Sequence, residues 1–249
     1  MLLAIDIGNS TTKFGVFDND RLIKRFFIPT LRRQAASETN DLIQNDLNYP
    51  FSAAIASSVV PEANDAFEKF CDEHFNLKLV FVDSTLDFGL KILYNPPQNL
   101  GIDRAVAAFA AREKYGKPVI VCDFGTATTI DVVNAAGEFA GGIITPGIKT
   151  LADSLFEKTS RLPRVEIKKP ESVIGATTVG AIQSGIYFGY VGLVEGILRK
   201  MLEELNAKPV IVATGGFVSL IAEDVKMIDV VDENLMLEGL RLIYEKIRN

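Results

Sequence analysis

Short apolar runs separated by polar turns open the chain and recur near its middle. Residues 2–5 are all apolar, and residues 14–17 form a second run that ends at a polar turn. The pattern returns at residues 118–122 and 130–133, where a turn again follows. Runs of this length between turn residues are typical of β-strands, so each pair predicts two adjacent strands.

The corner between the paired strands is also repeated. It reads DIGNSTTK at 6–13 and DFGTATT at 123–129. Asp6 recurs as Asp123 and Thr11 as Thr128, a constant separation of 117 residues. Two copies of one hairpin predict two similar α/β halves that face a cleft.

The rest of the pattern supplies further elements for these halves. Apolar runs predict strands, and apolar residues at helical spacing predict helices. The strands are expected at 53–60, 77–82 and 210–213, and the helices at 103–115 and 235–247. No low-complexity linker interrupts the chain, and we place the two domains at residues 1–115 and 116–249.

One uncharged segment predicts a buried or interface helix. Residues 173–194 form a stretch of 22 residues without a charge, which is long enough to cross a membrane. The same stretch holds Gln183, Ser184 and five glycines, a composition that disfavours a membrane span. We therefore expect a helix of a protein that is not bound to a membrane.

A glycine stripe follows from the same segment. Gly185, Gly189, Gly192 and Gly196 are spaced four, three and four residues apart, so a helix would carry them on one face. Each interior glycine destabilises a helix by about 0.5–1 kcal/mol relative to alanine, and a close helix contact would compensate. That contact is made either by another helix of the chain or by a second copy.

Composition and charge argue against several classes of protein. The net charge is −6 with acids and bases interspersed, which argues against a nucleic-acid-binding protein. The first residues lack the pattern of a signal peptide, and two cysteines are too few for a disulfide framework. We therefore expect a cytoplasmic protein.

The presence of a single histidine limits the types of metal and catalytic site that the chain can form. His74 alone cannot build a multi-histidine zinc site, and its charged neighbours predict a surface position. Catalysis would rely on carboxylates, hydroxyls, backbone amides and a bound metal ion.

The repeated corner suits phosphate binding. Its glycine lets the backbone approach a ligand, while amides and hydroxyls donate to phosphate oxygens and the aspartate holds a bridging cation. The turn at 214–216, Thr-Gly-Gly after a predicted strand, offers a further close approach suited to a nucleoside. An ordinary tight turn explains either corner alone, but the repeat favours a nucleoside triphosphate site. Neither GxxxxGK[ST] nor GxGxxG occurs.

This combination resembles the phosphate-1, phosphate-2 and adenosine motifs of the actin/sugar kinase/Hsp70 superfamily. More narrowly, the chain is similar to the type III pantothenate kinase family. The stretches that carry the resemblance are DIGNSTTK at 6–13, GIDR at 101–104, DFGTATTIDVV at 123–133, GGIITPG at 141–147, AIQSG at 181–185, ATGGF at 213–217 and ENLMLEGL at 233–240. The resemblance implies an α/β fold of two ribonuclease H-like halves, duplicated mixed-sheet domains around an ATP cleft. It also implies ATP-dependent phosphorylation of pantothenate to 4′-phosphopantothenate, the first step of coenzyme A biosynthesis.

The resemblance further implies roles for individual residues. Asp103 is implied as the general base; from the residues alone, a carboxylate that stabilises the first turn of a helix is the alternative. Asp123 is implied as a ligand of a monovalent cation, K⁺ or NH₄⁺, and Asp6 as facing Mg²⁺, directly or through water. The implied ATP-binding residues are Asp6, Ile7, Gly8, Asn9, Ser10, Thr11, Thr12, Lys13 and Thr126. The implied substrate-binding residues are Tyr94, Gly101, Ile102, Asp103, Arg104 and Thr178.

The family resemblance also implies a homodimer with the substrate site at its interface. Two departures from the family pattern are Ser10, where threonine is frequent, and Thr177, where asparagine often precedes the threonine. Two alternatives are another small-molecule kinase of the superfamily and a non-catalytic transcription accessory factor. The presence of Asp6, Asp103 and Asp123 favours an enzyme over the second.

Overall fold

The structure, a computed structural model, describes residues 1–30, 43 and 46–248. The chain forms two compact units, the first comprising Met1–Ala110 and Asn234–Asn249 and the second Ala111–Glu233. The first unit therefore takes residues from both ends of the chain. The sequence-based division at residues 115 and 116 stays a prediction.

The first unit is built on a five-stranded mixed sheet. Its strands are β1 (Leu2–Ile7), β2 (Thr11–Asp18), β3 (Arg21–Pro29), β4 (Ala53–Ser58) and β5 (Leu79–Phe81), in the order β3-β2-β1-β4-β5. β1, β2 and β3 are antiparallel neighbours, while β4 and β5 run parallel to β1. Strands β4 and β5 are shorter than the sequence predicts.

Helices cover both faces of this sheet. Helix α1 (Pro61–Phe75) contributes Phe67 and Phe70 to the cluster formed by Leu3, Ile5 and Phe14 on one face. After a 3₁₀ turn at Pro97–Asn99 comes α2 (Ile102–Tyr115). The histidine at the end of α1 is exposed, as predicted.

The second unit repeats the topology. Its strands are β6 (Val119–Phe124), β7 (Ala127–Val133), β8 (Phe139–Pro146), β9 (Val210–Thr214) and β10 (Val230–Val231), in the order β8-β7-β6-β9-β10 when read from β8. Three antiparallel strands again precede two parallel ones. The helices are α3 (Ile148–Lys158), α4 (Thr178–Leu205) and the short α5 (Val218–Ile221).

The C-terminal helix α6 (Leu235–Arg248) belongs to the first unit. It packs against β1, β2 and β4, on the face of the first sheet opposite the α1 cluster. Gly239 brings it onto α2, because an added Cβ there would lie 2.9 Å from Val106 and 3.0 Å from Ala110. The sequence prediction counts this helix with the second half, but its packing is with the first.

The loop of the second hairpin is one residue shorter than that of the first. The constant separation of 117 residues is therefore wrong for the residues that follow the loop. Asp6 pairs with Lys13, whereas Asp123 pairs with Thr129. The Gly8 N–H donates to the Thr11 carbonyl, but the Gly125 N–H donates to the Ala127 carbonyl across a tighter loop. Thr128 therefore corresponds to Thr12, and both side chains are fully buried.

Helix α4 begins later and runs further than the predicted 173–194 segment. Thr177 caps it, its Oγ1 accepting the Gly180 N–H at 3.0 Å. Within the described residues it is the one helix long and apolar enough to span a membrane, and 44% of its most apolar stretch is buried inside the chain. Tyr187, Tyr190 and Val194 lie in the core of the second unit.

The glycine stripe lies on the open side of α4. An added Cβ would meet no atom within 4 Å at any of the four positions, Gly185, Gly189, Gly192 and Gly196. Another helix of the described chain therefore does not pack on this stripe.

Candidate active site

Asp6 is a buried carboxylate at the end of β1. Its neighbours Ile5 and Ile7 face the α1 cluster, so Asp6 points to the opposite face of the sheet. The strand register sets Lys13 and Ser57 beside it. Ser57 Oγ donates to Asp6 Oδ1 at 3.0 Å, and Lys13 Nζ lies 3.9 Å from Asp6 Oδ2.

The surroundings of Asp6 favour a cation. Asp6 is only 7% exposed, and this burial is the largest cause that raises the pKa of its carboxyl above the ordinary value. The charge of Lys13 and the hydrogen bond from Ser57 lower that pKa, while the charge of Asp103 raises it. A cation beside Asp6 would stabilise the ionised form, so the site fits a metal ion that accompanies phosphate.

The first corner presents a two-residue tip. Asn9 and Ser10 are exposed, whereas Ile7 and Thr12 are fully buried. Thr30 braces the corner from β3's end: its Oγ1 donates to the Gly8 carbonyl at 2.6 Å, and its N–H donates to the Ser10 carbonyl at 3.0 Å. Thr12 Oγ1 lies 3.0 Å from Thr30 Oγ1. The side chain of Thr12 therefore supports the corner from inside.

Asp103 stands in the first turn of α2. Its Oδ1 accepts the Arg104 N–H at 2.8 Å, which fixes the orientation of the carboxylate. A Cβ at Gly101 would lie 2.6 Å from the same oxygen, so any other residue there would make the Asp103 carboxylate shift. Arg104 is 6% exposed, and its guanidinium carbon lies 5.6 Å from the centre of the Tyr94 ring. The structure thus brings Tyr94, Gly101, Asp103 and Arg104 together.

The second corner is tightly packed around Asp123. Gly215 has φ +101°, and an added Cβ there would overlap Asp123 Oδ1. On the other side of the corner, the Thr126 carbonyl accepts the Gly147 N–H at 3.1 Å and the Thr150 hydroxyl at 2.7 Å. The side chain of Thr126 is left exposed at the tip.

The inner side of this corner is fixed by the core. Thr128 contacts the Tyr190 hydroxyl of α4. Gly142 lies so close to Asp131 that any side chain would overlap its buried carboxylate. Gly142 of the GGIITPG stretch therefore has a steric role.

Thr178 lies at the start of α4 in the second unit. It is exposed and borders an open groove of about 630 Å³ between α3 and α4. Leu151 and Leu155 form one wall, and Ile182, Gly185 and Gly189 form the other.

Several residues of these corners escaped sequence reasoning. They are Thr30, Ser57 and Thr150, which act through contacts with residues far away in the chain. Among residues 1–30, 43 and 46–248, no group of three or more histidine, cysteine, aspartate or glutamate side chains is placed to hold a metal ion.

Sequence similarity to known proteins identifies the family of the chain. The sequence profile of type III pantothenate kinases matches residues 2–200. The type III pantothenate kinase of Koribacter versatilis is 44% identical over 99% of this chain and 96% of its own. That of Bacillus cytotoxicus is 41% identical over the same shares. The chain belongs to the type III pantothenate kinase family. Asp6, Asp103 and Asp123 lie in the stretches that first indicated this family.

Solved structures confirm the predicted fold. A conserved Baf family protein from Campylobacter jejuni, named as a candidate transcriptional activator, has a TM-score of 0.63 at 22% identity and covers 99% of both chains. The ROK hexokinase of Thermus thermophilus has a TM-score of 0.53 at 13% identity and covers 99% of both chains. These likenesses show that this member of the pantothenate kinase family shares the two-sheet α/β fold of those proteins.

Proposed function

We propose that the protein transfers the γ-phosphoryl group of ATP to pantothenate and so forms 4′-phosphopantothenate, at the first step of coenzyme A biosynthesis. Family membership supports the reaction. The observation that carries it to these residues is the cluster of Asp103, Arg104 and Tyr94 in the first unit, with Asp103 close enough to Asp6 for its charge to raise the pKa of Asp6.

Asp103 acts as the general base. One of its oxygens accepts the Arg104 N–H, and we assign the other to accept the proton of the substrate hydroxyl. The phosphoryl transition state is loose, so the reaction depends mainly on positioning and on charge stabilisation. Arg104 has a planar fork that suits the carboxylate of pantothenate, and the Tyr94 ring beside it forms the wall of the substrate pocket.

The two corners bind the phosphates of ATP. In the first, the exposed tip at Asn9 and Ser10 donates to phosphate, and Lys13 supplies a positive charge. Bound Mg²⁺ neutralises phosphate charge, and Asp6 is the carboxylate that holds it, directly or through water. In the second, Thr126 faces phosphate and Asp123 holds K⁺ or NH₄⁺.

The protein acts as a cytoplasmic homodimer. Open space over the glycine stripe supports close packing of α4 against α4 of a second copy. Apolar side chains near the start of α4 are also exposed, among them Ile174 at 86% and Val173 at 64%. In that dimer Thr178 of one protomer reaches pantothenate bound by its partner.

The test is ADP formation with pantothenate as acceptor, compared in K⁺, NH₄⁺ and Na⁺ buffers with and without Mg²⁺. We expect turnover that needs pantothenate and Mg²⁺ and that is faster in K⁺ or NH₄⁺. Turnover with a hexose but not with pantothenate would contradict the acceptor. Equal rates in Na⁺ and K⁺ would contradict only the monovalent cation site.

A further inference from the structure

Each of the two strand-end carboxylates has a hydroxyl residue beside it on the neighbouring parallel strand. Asp6 is in register with Ser57, and Asp123 is in register with Thr214. Residues in register on adjacent strands point to the same face of the sheet. The repeat therefore sets a carboxylate and a hydroxyl side by side at both corners.

The two hydroxyl groups differ in their bonding. Ser57 Oγ donates to Asp6, whereas Thr214 is 1% exposed and its Oγ1 has no hydrogen-bond partner within the described chain. A buried hydroxyl without a partner is costly and rare in folded proteins. The position of Thr214 next to Asp123 suggests that its partner is a bound group.

The space around Asp123 is kept clear by glycine. A Cβ at Gly215 would overlap Asp123 Oδ1, and a Cβ at Gly125 would lie 3.6 Å from the same oxygen. Gly215 also has a positive φ, a backbone conformation that residues with a side chain rarely adopt. Asp123 and Thr214 thus offer carboxylate and hydroxyl oxygens beside these glycines, which is the ligand chemistry of a hard cation.

We propose that Thr214 supplies a hydroxyl oxygen to the monovalent cation that Asp123 holds, an inference that rests on the cation site of the proposed function. Thr214 ends β9 and opens the Thr-Gly-Gly turn assigned to the nucleoside. A cation shared by Thr214 and Asp123 ties that turn to the corner that binds phosphate. Cation binding therefore orders the turn before ATP arrives.

The experiment measures thermal unfolding without ATP while KCl replaces choline chloride at constant ionic strength. A ligand that binds only the folded state raises Tm with its concentration, so the K⁺ concentration at half effect reports affinity. The variants are Thr214→Val, Thr214→Ser and Asp123→Asn, with Thr159→Val at the exposed end of α3 as the matched control. For Thr214→Val we expect the half-effect concentration to rise about tenfold or more, as for loss of a metal-site partner. Thr214→Ser and the control should stay near wild type, and Asp123→Asn should lose the response.

Each outcome has a distinct meaning. A wild-type Tm that ignores K⁺ overturns the cation site and the role of Thr214 with it, while pantothenate kinase activity is measured separately. A normal K⁺ response in Thr214→Val overturns the role of Thr214 alone, including when that variant is less stable in every salt. If Thr214→Val does not fold, Thr214→Ala gives the same comparison.

Discussion

The chemistry of the site depends on a few residues whose neighbours fix them. Asp103 is oriented by the Arg104 N–H, and the glycine at position 101 leaves room for its Oδ1 in that orientation. Asp6 is held by Ser57 and faces Lys13. Because these contacts are short and specific, single substitutions separate a chemical role from a structural one.

Asp103→Asn keeps the shape of the side chain and removes the base. We expect kcat to fall by about 10²–10⁴-fold, the usual contribution of general-base catalysis, with little change in Tm. The matched control is Glu62→Gln, since Glu62 is the acidic residue in the first turn of α1. Both variants lose the same favourable helix-dipole interaction. A kcat within about threefold of wild type would assign Asp103 to helix stability alone.

At the scale of elements, the corners are held by segments that come from elsewhere in the chain. Thr30 braces the first corner, and the start of α3 braces the second through Gly147 and Thr150. A similar link fixes the extended segment before α4, where Asp224 accepts hydrogen bonds from Lys169 and from the Tyr187 hydroxyl. Each link consists of a few contacts that a single substitution can test.

Gly147→Ala should displace the second corner. Gly147 has φ −66° and ψ 163°, which alanine also adopts, so the effect is steric. The added Cβ would overlap the Gly125 carbonyl and lie 2.6 Å from the Thr126 carbonyl. We expect a loss of about 1–3 kcal/mol in the free energy of unfolding, as for overpacking, and a higher KM for ATP. Urea unfolding and steady-state kinetics test this. An unchanged KM for ATP would remove the corner from the nucleotide site.

Asp224→Asn should make stability less sensitive to acid. The hydrogen bond from Lys169, followed by that from Tyr187, lowers the pKa of Asp224 below its ordinary value of 3.8. The ionised carboxylate therefore stabilises the fold above pH 3.8, and this contribution is lost as the pH falls towards the lower folded-state pKa. Urea unfolding from pH 7 to pH 3 should show a wild-type advantage that shrinks at the acid end. A gap that is constant across this range would assign the effect to packing.

The sequence predicted what is local and repeated. The strand-corner-strand pattern around Asp6 and Asp123 is encoded by adjacent residues, so it could be read directly. The bond from Ser57 to Asp6 joins strands far apart in sequence, and Ser57 looks like any residue of a buried strand. The sequence did not reveal that the second loop is shorter. Both corners carry two adjacent threonines, so they can be aligned in two ways that each pair a threonine with a threonine. Side-chain packing determines the Ser57–Asp6 contact and the length of the second loop. The pattern of apolar and polar residues does not encode that packing.

At the scale of the whole molecule, one sheet topology occurs twice and a long helix carries a glycine stripe with nothing of the described chain above it. The family is settled by sequence relatives, and the fold by structural ones. The homodimer is the part of the proposal that depends on the stripe.

Gly189→Leu should separate the subunits and lower the activity together, because the new side chain would fill the close contact between helices. Wild type should sediment near twice 27.2 kDa. Lys69→Leu, on the exposed face of α1, is the control for a leucine added elsewhere on the surface. A fully active wild-type particle near 27.2 kDa in analytical ultracentrifugation would contradict the dimer.

The position of α6 has a consequence for synthesis. Leu235, Leu240 and Ile243 are completely buried, and the helix covers β1, β2 and β4, which are made first. A ribosome therefore releases every strand of the first unit long before the helix that covers them. The second unit, Ala111–Glu233, is continuous and has its whole core available earlier. The middle of the polypeptide should become resistant to protease on stalled ribosomes before its beginning does.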